Sequence, residues 1–314
     1  MGADIGFSVA CYKGDIPLLR GCLASIKYSA PDAPICLMID GDFDSRPFEK
    51  RYGVRCIRKR DVRHPELQAL SFGYGITKLV ALWESPFERV IHIDADAVMW
   101  GDIRQNLPEG DWDFVHNEPH EAMTESIQKN QYFDAEFVFK FIESFDWKDC
   151  PFFNTGVYFF RRGKLDLNEC IHLLKLRAEN IENFGAGDQG ILNILVFRAM
   201  KEGRIRVDQA HLQSVVPVIA KSELESRFQI RNGKPKLLVH PTVVHWAGPK
   251  PFKANSEVFS LPMDYFREIG MREFGLPKWF PAKTAMQIDE FLHRDAPRTI
   301  LNAKQTIKRL IGRK

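Results

Sequence analysis

The residues with the most chemistry in this chain are two aspartates one position apart. They stand in Arg89-Val-Ile-His-Ile-Asp94-Ala95-Asp96-Ala-Val-Met-Trp-Gly-Asp102, where an apolar run (Val90, Ile91, Ile93) leads straight into them. A short apolar run closed by polar residues predicts a buried strand. If the backbone stays extended beyond it, Asp94 and Asp96 point to the same side. Two hard oxygen ligands then face one divalent cation at the carboxyl end of a strand, where open α/β sheets bind ligands. Carboxylates suit Mg²⁺ or Mn²⁺, ions that keep coordination sites for phosphate oxygens and water. The competing explanation is a solvated acidic turn, and the surrounding chain has to decide.

The elements that must position this pair alternate strand and helix. Gly6 to Tyr12 reads as a strand and residues 16–28 as a helix. Residues 35–40 form a second buried strand ending in Asp40, and Val54 to Ile57 a third. Residues 76–83 are helical and stop at Pro86, just before the carboxylates. Further strands are expected at 113–115, 153–160 and 239–246, with helices at 165–180 and 188–200. Strands separated by helices of this length predict right-handed crossovers and a mostly parallel sheet covered on both faces. Residues 117–150, rich in Glu, Asp and Phe, break the pattern and read as an insertion beside the site.

Bulk properties narrow the classes. In 314 residues, 45% are hydrophobic and 27% charged, with 24 Phe to build a core, as in an ordinary globular protein. A net charge of +3 with no arginine-rich run interleaved with aromatics excludes nucleic acid as a partner. No stretch reaches the ~18 apolar residues of a spanning helix, and no basic-then-apolar leader opens the sequence. The six cysteines include no C-x-x-C, which suits reduced core residues and a cytoplasmic location. The C-terminal residues 300–314 differ: Ile300, Ile307, Leu310 and Ile311 share a helical stripe beside Lys304, Lys308, Arg309, Arg313 and Lys314. This basic amphipathic pattern suits the surface of an anionic membrane, on its inner face. A helix docked on the domain with a solvated basic face is the alternative.

Four more pieces accompany the carboxylates. Lys78 lies one helix upstream, and Asn154-Thr-Gly-Val follows downstream. Then come Gly187-Asp188-Gln189-Gly190 and His245-Trp-Ala-Gly248-Pro-Lys250-Pro-Phe. Each is weak alone, but as an ordered set they resemble the retaining nucleotide-sugar glycosyltransferases of family 8, the group of glycogenin and the bacterial lipooligosaccharide galactosyltransferases. The resemblance runs from the first strand to about Lys253. It implies a GT-A fold over residues 1–260, a Rossmann-like, mostly parallel sheet with helices on both faces, and a helical C-terminal extension over 261–314.

Carried onto these positions, the resemblance implies that Asp94, Asp96 and His245 bind Mn²⁺ or Mg²⁺, a mixed oxygen–nitrogen set that Mn²⁺ accepts. Ala10, Cys11, Asp40, Lys78, Asp94 and Ala95 would line the pocket of a UDP-sugar, and Gly248 and Lys250 would close over its phosphates. Asn154, Asp188 and Gln189 would hydrogen-bond sugar hydroxyls. Two departures stand out. The family's phosphate lysine usually lies six residues beyond the histidine, whereas Lys250 lies five beyond, so Lys253 competes for that role. The family's Asp-Gln is often followed by another aspartate, and here that position is Gly190. A nucleophile from position 190 is therefore ruled out, which leaves a front-face route to retention.

The expectation is a metal-dependent hexosyltransferase using UDP-galactose or UDP-glucose, with a saccharide or glycolipid acceptor. A sugar nucleotidyltransferase would share the layout, but Tyr12-Lys-Gly-Asp-Ile-Pro is too poor in glycine and base for its phosphate loop. A silent nucleotide- or glycan-binding domain is the rival from another class.

Overall fold

The computed structural model describes residues 5–297 except 74, 120–122, 186, 254 and 256. In chain order the strands are β1 (Ile5–Tyr12), β2 (Ile35–Asp40), β3 (Arg55–Arg58), β4 (Arg89–Ile93), β5 (Ala97–Trp100) and β6 (Phe114–Asn117). They continue with β7 (Val157–Arg161), β8 (Val207–Ala210), β9 (Gln213–Val216), β10 (Ile230–Arg231), β11 (Lys234–Pro235) and β12 (Thr242–Trp246).

Seven of them form one sheet in the order β3-β2-β1-β4-β7-β6-β8. Only β7 runs against the rest, pairing antiparallel with both β4 and β6. The mostly parallel α/β sheet expected from the alternating pattern is therefore present. Its central strands are apolar on both faces: Phe7, Val9, Val90, Ile91 and Ile93 are all buried, as sheets covered on two sides require. The helix Ile16–Ser29 starts with Pro17 in its first turn and buries Leu18, Leu19, Cys22, Leu23 and Ile26.

A second sheet, in the order β5-β12-β9, was not anticipated. β5 and β9 are four residues each, too short for their alternation to announce a strand. Other boundaries moved too. The strand expected at 153–160 begins only at Val157, because Asn154 turns the chain through a hydrogen bond from Gly156 N to its Oδ1 (2.9 Å). The segment expected as an insertion carries two short helices, Glu125–Gln131 and Ala135–Val138, each capped by a side chain (Thr124, Asp134).

The helix Leu261–Glu273 packs across the helix Ile16–Ser29 so closely that a Cβ on Gly21 would meet Met263 Sδ at 2.5 Å. Met263 and Phe266 belong to the same core as β1 and β5. Among the described residues no helix is long and apolar enough to cross a membrane. All six cysteines are free thiols, five of them buried. Residues 300–314, with the amphipathic stripe, lie outside the described residues.

Candidate active site

The two aspartates stand where the chain leaves one sheet for the other. β4 ends at Ile93, and Asp94 N donates to Gly156 O on the neighbouring β7 side (2.9 Å). Ala97 N donates back to Asp94 O (3.1 Å), closing a tight turn, and Ala97 opens β5. The extended backbone expected through 94–96 is thus replaced by a turn, because the chain must change sheets there. The carboxylates still converge, with Ala95 buried between them.

β12 brings in the third member. His245 pairs in register with Ala97 of β5 and Val215 of β9, and its Nε2 lies 3.7 Å from Asp94 Oδ2 and 3.5 Å from Asp96 Oδ1. One ligand atom from each of Asp94, Asp96 and His245 fits within 4.8 Å of the others. His245 Nδ1 hydrogen-bonds Gln213 Oε1 at 2.9 Å. The Gln213 amide is oriented by donating from Nε2 to Asn154 O and Oδ1 (3.3 and 3.4 Å). Gln213 therefore accepts the Nδ1 proton and leaves Nε2 turned toward the carboxylates, the arrangement a metal-binding histidine needs. Gly156 provides the room, since a Cβ there would lie 2.1 Å from His245 Cε1.

Asp96 Oδ1 is buried without a hydrogen-bond partner, an expensive state for a carboxylate oxygen. An orphaned oxygen, a second carboxylate and an imidazole nitrogen at this spacing fit a divalent cation.

Lys78 supports the centre from behind. Buried, it reaches Asp94 Oδ1 and Oδ2 (both 3.1 Å), Thr155 O (3.1 Å) and Asp188 Oδ1 (3.1 Å). Burial alone would lower the Lys78 ammonium, but Asp188 and then Asp94 override it and hold it above its ordinary value. Burial would raise Asp94, yet Lys78, then His92 and His245, hold its carboxyl well below the usual range. Asp188 goes the other way, raised mainly by burial. His92, in β4, bridges Ser8 Oγ (3.1 Å) and Asp94 Oδ1 (3.0 Å); burial keeps it below its ordinary value.

A cleft of ≈ 320 Å³ opens over these residues. Ala10, Cys11, Asp40, Lys78, Asp94, Ala95, Asp96 and Lys250 all line it. Asp40 Oδ2 is fixed by Gly73 N and Thr77 Oγ1 (both 2.9 Å). Lys250 Nζ pairs with Asp96 Oδ2 and donates to Trp246 O at 2.6 Å. Lys253 turns away to Asp264, and Gly248 is exposed on the loop above.

A second cleft of ≈ 380 Å³ is lined by Asn154 and Gln189 together with Met123, Asn130, Gln131 and Tyr132. Gln189 Oε1 accepts from Asn154 Nδ2 (3.2 Å), and its Nε2 donates to Gln131 O (3.3 Å). Asp188 and Gln189 thus divide between the clefts, the first facing Lys78 and the second facing the 117–150 segment. Asp188 occupies the N-cap position of the helix Gln189–Lys201 without capping it. Gly190 has a packing reason: a Cβ there would meet Tyr132 O at 2.1 Å.

Several residues of the site carried no sequence signal. Gln213 is one polar residue in an unrecognised strand. Tyr12, Asp15, Thr77, Phe252 and Arg294 also line the first cleft, the last from far along the chain.

No protein-family model matches the chain, and no curated protein sequence matches it. Solved structures do. The galactosyltransferase LgtC, solved with donor and acceptor sugar analogues, aligns with a TM-score of 0.55 at 13% identity over 87% of this chain and 98% of LgtC. The bifunctional glycosyltransferase WbbM aligns at 0.54 and 12% identity over 94% of this chain and 52% of its own. The glycosyltransferase GlyE of Streptococcus pneumoniae aligns at 0.50 and 16% identity, over 91% and 62%. At these identities the likeness is one of architecture, and the chain has the GT-A glycosyltransferase fold.

Proposed function

We propose that this protein is a metal-dependent glycosyltransferase that moves a hexose, galactose or glucose, from a UDP-sugar to a saccharide or lipid-linked saccharide with retention of anomeric configuration. The observation that carries the reading is the orphaned Asp96 Oδ1 beside Asp94 and His245, at one wall of a nucleotide-sized cleft in this fold.

Asp94, Asp96 and His245 would hold Mn²⁺ or Mg²⁺, which when bound neutralises a diphosphate and stabilises the departing nucleoside diphosphate. Ala10 and Cys11 would line the nucleotide side of the cleft, and Asp40 would lie near the nucleoside. Lys250, now leaning on Asp96, is a point charge that a diphosphate would recruit, under a loop that includes Gly248. Lys78 keeps the Asp94 carboxylate ionised and oriented, and it holds Asp188.

Asn154 and Gln189, which line the second cleft, and Asp188, held by Lys78, would hydrogen-bond the hydroxyls of the transferred sugar, and polar groups aimed at hydroxyls confer selectivity among sugars. With Gly190 closed off by Tyr132 O, position 190 supplies no nucleophile. The acceptor hydroxyl would then attack the anomeric carbon from the face the phosphate leaves. As the carbon–phosphate oxygen bond breaks, the hydroxyl proton passes to that phosphate oxygen. Gln189 would steady the opposite face. The second cleft, walled by the 117–150 segment, would take the acceptor, and residues 300–314 would rest on an anionic membrane.

Incubation with UDP-galactose or UDP-glucose, Mn²⁺ and a saccharide acceptor, followed by NMR of the new anomeric proton, tests the reading. A product with the donor's anomeric configuration supports it. Nucleotide binding without turnover of any UDP-sugar makes the protein a silent binding domain.

A further inference from the structure

Arg294 lines the donor cleft although it belongs to the C-terminal segment. Its guanidinium lies 4.1 Å from the centroid of the Phe252 ring, two positions beyond Lys250 in the same loop. Four carboxylates line that cleft with it (Asp15, Asp40, Asp94, Asp96). Among the described residues, however, none lies within ion-pair distance of Arg294. An arginine with one face on an aromatic ring and, among the described residues, no hydrogen bond or ion pair at its N–H edges, lining the same cleft as Asp94 and Asp96, is built for an anion.

Ion pairs, one of them buried, seat the segment that carries it. Asp289 accepts two bonds from Arg20 (3.1 and 3.2 Å) and lies 3.1 Å from His293 Nδ1. Glu290 accepts from Arg267 (2.6 Å), which is fully buried, and from the backbone N of Lys253 (3.1 and 2.9 Å). The loop of Lys250 and the segment of Arg294 are therefore tied together through Glu290. Beyond it the helix Ala282–Glu290 widens into a π-helical turn, Phe291–Asp295. Such turns are uncommon and gather at functional sites.

We propose that Arg294 is a diphosphate-binding residue of the donor site, delivered by the C-terminal segment and positioned by Phe252 and Glu290. The inference rests on the nucleotide-sugar reading above. Donor affinity then depends on the docking of a segment that contributes no metal ligand.

The test is calorimetric titration of the full chain with UDP and with uridine, each with Mn²⁺, for the wild type, Arg294→Ala, Arg294→Gln and Arg294→Lys. Thermal midpoints would report that the variants fold. Arg294→Ala and Arg294→Gln are expected to bind UDP about tenfold more weakly or worse, the scale of lost charge-assisted hydrogen bonds. Uridine binding is expected to be unchanged, and Arg294→Lys intermediate. Wild-type UDP affinity in the Ala and Gln variants overturns the inference alone, as does an equal loss for UDP and uridine. A wild type that binds no UDP overturns the nucleotide-sugar reading together with it.

Discussion

Gln213 Oε1 lies 2.9 Å from His245 Nδ1, and that contact decides which histidine nitrogen faces Asp94 and Asp96. A buried glutamine on β9 thereby orients the histidine of the candidate metal site. Replacing such partners typically costs ten- to a hundredfold in metal affinity. Gln213→Leu should weaken Mn²⁺ binding by about that factor, read by isothermal titration. Gln213→Glu, which keeps an acceptor, should recover much of it. Equal affinities in all three would remove Gln213 from the centre.

Lys78 joins the buried carboxylate of Asp188 to the half-buried one of Asp94, so its loss strands Asp188 in the interior. Removing one partner of a buried ion pair costs about 3–5 kcal/mol. Lys78→Met should lower stability by an amount of that order in chemical denaturation. Adding Asp188→Asn, which removes the stranded charge, should restore part of the loss. A double variant no more stable than Lys78→Met would show that the stranded Asp188 charge is not the source of the loss.

Asp15 supplies a pH signature. Burial, then the neighbouring Asp96, pushes its carboxyl from 3.8 up to about 7. In the folded state it keeps its proton where the unfolded chain has lost it. Between those values the native state binds more protons, so stability falls as pH rises, and above about 7 the penalty is complete. At about 1.4 kcal/mol per pH unit the ceiling is about 4 kcal/mol. In EDTA, Asp15→Asn should match the wild type near pH 4 and grow progressively more stable than it up to about pH 7. A difference that does not vary with pH would contradict this origin.

Two glycines answer to neighbours and not to turns. A Cβ at Gly156 would strike the His245 ring, and one at Gly190 would strike the Tyr132 carbonyl. A side-chain ring can shift, whereas a packed backbone yields at a cost of about 1–3 kcal/mol. Gly156→Ala should therefore keep its thermal midpoint within a few degrees and lose Mn²⁺ binding. Gly190→Ala should be the less stable of the two and retain Mn²⁺ binding. The reverse pattern would count against the assigned contacts.

Much of this arrangement was readable because local pattern and tertiary role agree. β1, β2 and β4 are apolar runs ending in polar residues, and the helix Ile16–Ser29 has clean periodicity. Arg46–Tyr52 and Pro65–Leu70 were too short to be read, and the helix expected at 76–83 is a 3-10 turn, Ile76–Val80, followed by one α turn, Ala81–Glu84. The pairing of Asp94 with Asp96 was also visible, although for the wrong backbone reason: the turn at 94–96 depends on β5 joining another sheet, which no local signal announces. Gln213 was unreadable for the same cause, since β9 is a strand only because β12 pairs with it. Arg294 reaches the cleft through Glu290 and Phe252, contacts between segments distant in sequence. That Lys250 lines the cleft while Lys253 pairs with Asp264 was unreadable too, because Asp264 comes from a helix that only the tertiary fold brings alongside.

Asp94, Asp96 and His245 are expected to hold a divalent ion that in turn holds a nucleoside diphosphate. Thermal unfolding of the wild type and Asp96→Asn with UDP, in Mn²⁺ and in EDTA, tests it most directly. A ligand at about a hundred times its dissociation constant stabilises by about 2.7 kcal/mol, worth several degrees in a chain of this size. The expected result is a UDP-dependent rise in the wild type that vanishes in EDTA and is absent from Asp96→Asn in either condition. A rise that survives EDTA, or that persists undiminished in Asp96→Asn, would contradict it.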